Sequence, residues 1–130
     1  MVGFLIITHH ELASSLLSAA RMLGADTERM RAVGLMEDEG PEAFAERVSQ
    51  AVREADTGDG VIALADLFGG TPFNTIFRIA QQKEVSVVTG VNLPMILAAA
   101  FEPEKTQSRE EMADALRDAG AGQIRTYGKV

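Results

Sequence analysis

Apolar residues along this chain fall into short unbroken runs separated by segments in which they recur every three or four positions. Residues 1–7 form the first run, the pattern of a strand covered on both faces. From residue 11 to Gly24, Leu12, Leu16, Ala20 and Leu23 fall at helical spacing, and Gly24 suits the stop. A second strand is predicted over 30–36, through Ala32, Val33, Leu35 and Met36. The acidic Glu37-Asp38-Glu39 and Gly40 then read as a solvated loop. Pro41 suits the first position of a helix that buries Phe44, Val48, Ala51, Val52 and Ala55. Gly58-Asp59-Gly60 is a turn, and a third strand runs to Ala65. Residues 71–82 are predicted helical, with Thr71 as N-cap, Pro72 at the first position, and Phe73, Ile76, Phe77 and Ala80 on one face. A fourth strand covers 85–88. Asn92 caps a helix reaching Phe101, with Pro94 tolerated in its first turn. Ser108 and Glu111 form a capping box opening a last helix that buries Met112, Ala115, Leu116 and Ala119. Residues 124–127 are expected to form a final strand.

Four βα units in series predict an α/β fold, an open and mostly parallel doubly wound sheet with helices on both faces. The 130 residues fit a single domain, 1–130. In the common 2-1-3-4 strand order, the first and third strands are neighbours and their ends share one crevice, where open α/β sheets bind ligands.

Composition narrows the functional classes. The chain has no Cys, which excludes a disulfide framework, a thiolate nucleophile and Cys-based zinc or iron–sulfur sites. A formal net charge of −7 with scattered Lys and Arg argues against nucleic acid. No apolar stretch has the length of a membrane span, and the N-terminus lacks the features of a signal peptide, so a cytoplasmic domain is expected.

Two strand ends carry the candidate chemistry. The third strand leads into Asp66-Leu67-Phe68-Gly69-Gly70-Thr71-Pro72-Phe73-Asn74, a carboxylate followed by two glycines and a helix start. The first strand ends in Thr8-His9-His10-Glu11. If the strands are neighbours, His9 or His10 lies beside Asp66. A carboxylate accepting one ring N–H fixes the imidazole tautomer and leaves the other nitrogen free as base, ligand or nucleophile. No Gly-x-Ser-x-Gly elbow is present, and two adjacent histidines with one acid are a poor transition-metal set. Histidine attacking phosphorus remains, with Gly69 and Gly70 amides, the helix N-terminus and the Thr71 hydroxyl receiving the phosphoryl group. Each residue also has a purely structural use: Asp66 can cap the following turn, and Gly69 and Gly70 can serve as turn formers.

The chain resembles the IIA domains of the mannose/fructose/sorbose family of the bacterial phosphoenolpyruvate-dependent sugar phosphotransferase system. The similarity runs over nearly its whole length. It rests on Phe4-Leu5-Ile6-Ile7-Thr8-His9, on residues 60–74, and on Gly90-Val91-Asn92-Leu93-Pro94-Met95. The resemblance implies that His9 accepts a phosphoryl group from the phosphocarrier protein HPr and passes it to a histidine of a IIB component. It implies that Asp66 orients the His9 ring, and that transfer needs no metal or other cofactor. It further implies a homodimer whose last strand crosses into the partner, and a link to the membrane only through IIC and IID components. The family usually has a small residue, often Gly, where this chain has His10. With no Ala/Pro-rich linker before Val130, a free-standing IIA domain without a fused IIB is expected. Alternative readings are a regulatory phosphoprotein using the same histidine and a phosphotransfer subunit of a dihydroxyacetone-kinase type. The Gly-Gly-Thr-Pro-Phe-Asn loop argues against the latter. A receiver-like module is disfavoured because Thr8-His9 stands where its acidic pair belongs.

Overall fold

The computed structural model describes residues 1–101 and 107–128. Nine elements follow in order: β1 (Gly3–His9), α1 (Leu12–Met22), β2 (Met30–Leu35), α2 (Pro41–Ala55), β3 (Val61–Ala65), α3 (Thr71–Ala80), β4 (Val85–Thr89), α4 (Leu93–Phe101) and α5 (Arg109–Gly122). The four strands form one all-parallel sheet in the order β2-β1-β3-β4. Ile7 is level with Val33 on one side and Ala65 on the other, so β1 and β3 end side by side.

The unbroken apolar runs are explained by burial on two faces. Along β1, Phe4 and Ile6 join Ile62, Leu64 and Val88 in a core covered by α1, α4 and α5. Leu5 and Ile7 alternate to the opposite side, where Ala63, Ala65 and Val85 meet Phe44, Val48 and Val52 of α2 and Ile76 of α3. The chain comes close enough to bar side chains at two glycines of this layer. A Cβ on Gly3 would lie 2.0 Å from the Ala55 carbonyl oxygen, and one on Gly34 would lie 1.8 Å from the His10 carbonyl oxygen.

The capping box is present: Ser108 Oγ accepts the Glu111 N–H at 3.0 Å, and Glu111 Oε1 accepts the Ser108 N–H at 3.0 Å. Asn92 Oδ1 caps α4 by accepting the Met95 N–H at 3.0 Å, while its amide donates to the Gly120 carbonyl at 3.1 Å and ties α5 to the β4–α4 turn.

Several expectations are corrected. Helix α1 buries Ala13, Leu17 and Ala20, leaving Leu12 and Leu23 exposed. The sequence offers apolar residues at adjacent positions, and a hydrogen bond from the Ala13 N–H to Thr8 Oγ1 (2.8 Å) goes with the second phase. Likewise α5 buries Ala113, Leu116 and Gly120 and leaves Ala115 exposed. Phe77 lies on the outer side of α3, stacked on Phe73 at 5.5 Å, and Met36 lies beyond β2 and is exposed. Glu39 is no solvated loop residue: its carboxylate accepts two bonds from Arg47 (2.8 and 2.7 Å) and one from the Met36 N–H (3.1 Å). Residues 124–127 pair with no strand among the described residues, and Ile124 and Tyr127 are exposed. No described helix is long and apolar enough to cross a membrane.

The Arg47 guanidinium, helped by the Met36 N–H and opposed by burial, holds the Glu39 carboxyl below the usual carboxylate range. A depressed folded value stabilises the fold above the unfolded pKa, and that contribution is lost as pH falls through the folded one. Urea midpoints of wild type and Glu39→Gln should therefore differ at neutral pH and converge on acidification below about pH 4. A difference independent of pH would remove the ion pair as its cause.

Candidate functional site

The crevice lies where β1 and β3 end. Odd positions of β1 face α2 and α3, so His9 points toward the start of α3. Asp66 directly follows β3, and its N–H donates to the Ile7 carbonyl at 3.3 Å. Its Oδ2 accepts the His9 backbone N–H at 2.9 Å and lies 2.9 Å from His9 Nδ1. An ionised carboxylate only accepts, so this geometry assigns the proton to Nδ1 and leaves Nε2 as the free nitrogen. The Asp66 side chain is 12% exposed and the imidazole 46%, which roots the pair in the protein and opens the ring to solvent. Asp66 Oδ1 is buried and has no partner among the described residues, so the carboxylate is committed through one oxygen to one residue.

Helix α3 completes the crevice. Its N-cap is Gly70 rather than Thr71, with Thr71 as the first helical residue and no side-chain capping bond. The first N–H groups of a helix lack intrahelical partners, and the helix dipole makes this end favourable for negative charge. A Cβ on Gly70 would stand 2.9 Å from His9 Cε1 and 3.5 Å from Nε2, so the absence of a side chain lets the imidazole lie against the helix start. Gly69 has φ +84, a conformation that L side chains rarely adopt, and its carbonyl accepts the Asn74 amide at 3.2 Å. Thus Gly70 is against the ring, Gly69 makes the turn, and Thr71 is exposed at the helix start. Leu67 and Phe68 are 56% and 77% exposed on the same loop, with Phe68 packed 5.0 Å from Phe73.

His10 does not join the pair. It has φ +54, in the left-handed region, its N–H donates to the Leu35 carbonyl at 2.8 Å, and its ring lies 3.6 Å from Glu37 and 3.9 Å from Glu11. The backbone here is one that glycine adopts without steric cost. Two contributors were not singled out from the sequence, Gly34 under the His10 carbonyl and the buried Thr8 at the head of α1. Thr8 carried a signal, as a polar residue ending an apolar run just before a helix. Gly34 carried none.

This fold and crevice define a small α/β domain with a carboxylate-held imidazole at the switch point. Residues 3–116 match the family model described as the PTS system fructose IIA component, and the chain belongs to that family. It is 31% identical over 120 residues to the mannose-specific EIIAB component of Escherichia coli K12, covering 92% of this chain and 37% of that protein. The chain thus spans little more than a third of that relative. It is also 30% identical over 98 residues to the fructose-specific EIIA component of Bacillus subtilis, covering 75% and 67%. The mannose/sorbose-specific IIA subunit from Enterococcus faecalis superposes with a TM-score of 0.88 over 99% of this chain and 96% of that one, at 24% identity, and so supports the fold.

The left-handed backbone at residue 10 yields a stability order. His10→Gly should unfold at the same or a higher urea concentration than wild type, because a side chain in this region costs about 1–2 kcal/mol. His10→Val, β-branched in the same place, should unfold earlier. A valine variant more stable than the glycine variant would contradict the assigned backbone.

Proposed function

We propose that this chain is the IIA component of a mannose-family sugar phosphotransferase system, a phosphohistidine carrier that takes its phosphoryl group on His9 from HPr and gives it to a IIB histidine. The observation that supports this most directly is the His9 Nδ1 to Asp66 Oδ2 contact of 2.9 Å, beside an uncapped α3 start and a half-exposed ring. In this reading the Nε2 lone pair attacks phosphorus as the donor's P–N bond breaks, and the donor imidazole leaves with the bonding electrons. His9 keeps its Nδ1 proton and becomes a cationic phosphoimidazole, whose charge the Asp66 carboxylate balances. Free N–H groups at the head of α3, with Gly69 and Gly70 admitting close approach and Thr71 offering a hydroxyl, receive the phosphoryl oxygens. No metal or cofactor enters the transfer.

The same proposal makes the protein a cytoplasmic homodimer in which residues 124–127 pair with a partner's sheet, giving Ile124 and Tyr127 cover that this chain does not provide. Its connection to the membrane runs through IIC and IID components, and it does not act on nucleic acid.

Intact mass after incubation with phosphoenolpyruvate, enzyme I and HPr tests the carrier role. Wild type and His10→Gln should gain one phosphoryl group and His9→Gln none. No gain in folded wild type would point instead to a regulatory or sensory module, and loss confined to His10→Gln would move the acceptor by one residue. Asp66→Asn should charge roughly 100-fold more slowly, since misplacing a reacting group by about 1 Å has that effect. Full speed would remove the orienting role.

Gly70→Ala is a second test of the crevice. Its backbone has φ −79, which alanine adopts freely, so the variant should fold with near-native stability. The added methyl group meets His9 Cε1 at 2.9 Å and should displace the ring, slowing phosphoryl uptake while the urea midpoint changes little. Unchanged uptake would show that the ring does not need this close approach.

A further inference from the structure

Among the described residues, Thr8 is the polar side chain that is fully buried, at 0% exposure. It ends the apolar stretch of β1 and precedes His9 by one position. Strand alternation sends the two side chains to opposite faces, His9 toward α3 and Thr8 toward α1. Thr8 Oγ1 accepts the Ala13 N–H at 2.8 Å. The residue at the N-cap of α1, Glu11, makes no side-chain capping bond. The side-chain acceptor at the head of α1 therefore comes from the strand, three residues before the cap.

That placement matters because the turn between β1 and α1 includes the left-handed His10, a conformation that must be held by its surroundings. Upstream, the His9 N–H is fixed on Asp66 Oδ2. In the middle, the His10 N–H donates to the Leu35 carbonyl, and the His10 carbonyl lies over Gly34, which is level with Thr8 on the neighbouring strand. Downstream, the Ala13 N–H is returned to β1 by the Thr8 hydroxyl. The turn thus starts and ends on the same strand, and Thr8 closes it. Without that acceptor, the buried Ala13 N–H is unsatisfied, and the turn relieves this by unwinding the start of α1 and letting residue 10 leave the left-handed region. His9 is joined directly to that turn.

We infer that Thr8 is a positioning residue for His9: its hydroxyl, acting through the Ala13 amide, sets the β1–α1 turn so that the imidazole keeps Nδ1 on Asp66 and Nε2 outward. The inference rests on His9 as the phosphoryl acceptor proposed above. It goes further in assigning a role to a side chain that touches neither the ring nor the phosphoryl group.

The test uses the full chain as wild type, Thr8→Val and Thr8→Ser. Thr8→Val preserves shape and removes the acceptor. It should lower the rate of phosphoryl uptake at saturating phospho-HPr by roughly 10-fold or more, with the half-saturating HPr concentration changed less than about twofold. Nitrogen-15 spectra of its imidazoles should show His9 passing from one Nδ1–H tautomer to a mixture of tautomers, a change that loss of stability alone does not produce. Thr8→Ser should restore both rate and spectrum. A valine variant with native rate and tautomer, or a serine variant that restores neither, would overturn the inference. Should Thr8→Val fail to fold, hydrogen exchange of wild type decides: Ala13 N–H is expected to be protected, and exchange as fast as at an uncapped helix start would refute the bond on which the inference depends. If wild type takes no phosphoryl group from HPr, the carrier reading fails, while the tautomer and exchange measurements still test the positioning role.

Discussion

One carboxylate oxygen, Asp66 Oδ2, holds His9 by both its backbone N–H and its ring nitrogen, each at 2.9 Å. Two contacts from one residue fix an imidazole in position and in rotation about its own axis, which a single contact does not. The grip is possible only if β1 and β3 are immediate neighbours. Strands in a sheet lie about 4.8 Å apart, so one intervening strand would put the groups beyond any hydrogen bond. Adjacency in turn requires the chain to leave β1, add β2 on one side, and return through α2 to the other, with helices on both faces. The long apolar runs are what that two-sided cover demands of a sequence.

Local signals with a chemical cause were readable directly. The Ser108–Glu111 box, the Asn92 cap and the five core residues of α2 lie where their spacing indicated. Helix phase was less readable in α1, where Leu12, Ala13, Leu16 and Leu17 satisfy two overlapping apolar stripes. The buried stripe is the one carrying Ala13, whose N–H bonds to Thr8 from another element. In α3 the start at residue 71 was legible, but its cap lies one residue earlier than expected. Thr71 is the better cap by its own chemistry, yet Gly70 takes that position, with the His9 ring lying against it.

At the crevice, the partnership of His9 with Asp66 followed from two strand ends and one assumed strand order. What surrounds it did not. Gly34 is required by the His10 carbonyl in the β1–α1 turn, and Glu37, beside the His10 ring, comes from the separate loop after β2. These are contacts between distant segments, with no period or motif of their own. His10 illustrates the limit well: its identity invites a chemical reading, yet its backbone angle explains more about the site than its ring does.

The chain's first residue lies at the far end of the sheet from this crevice. The Met1 amino group meets the Asp59 carboxylate, and the Thr57 hydroxyl donates to the Met1 carbonyl. From there β1 runs straight to His9, and its seven residues span about 20 Å. A dye, bead or surface joined at Met1 would therefore stand behind the domain, with the imidazole facing away from the attachment. The strand that carries the reactive residue also sets the orientation in which an immobilised molecule would present it.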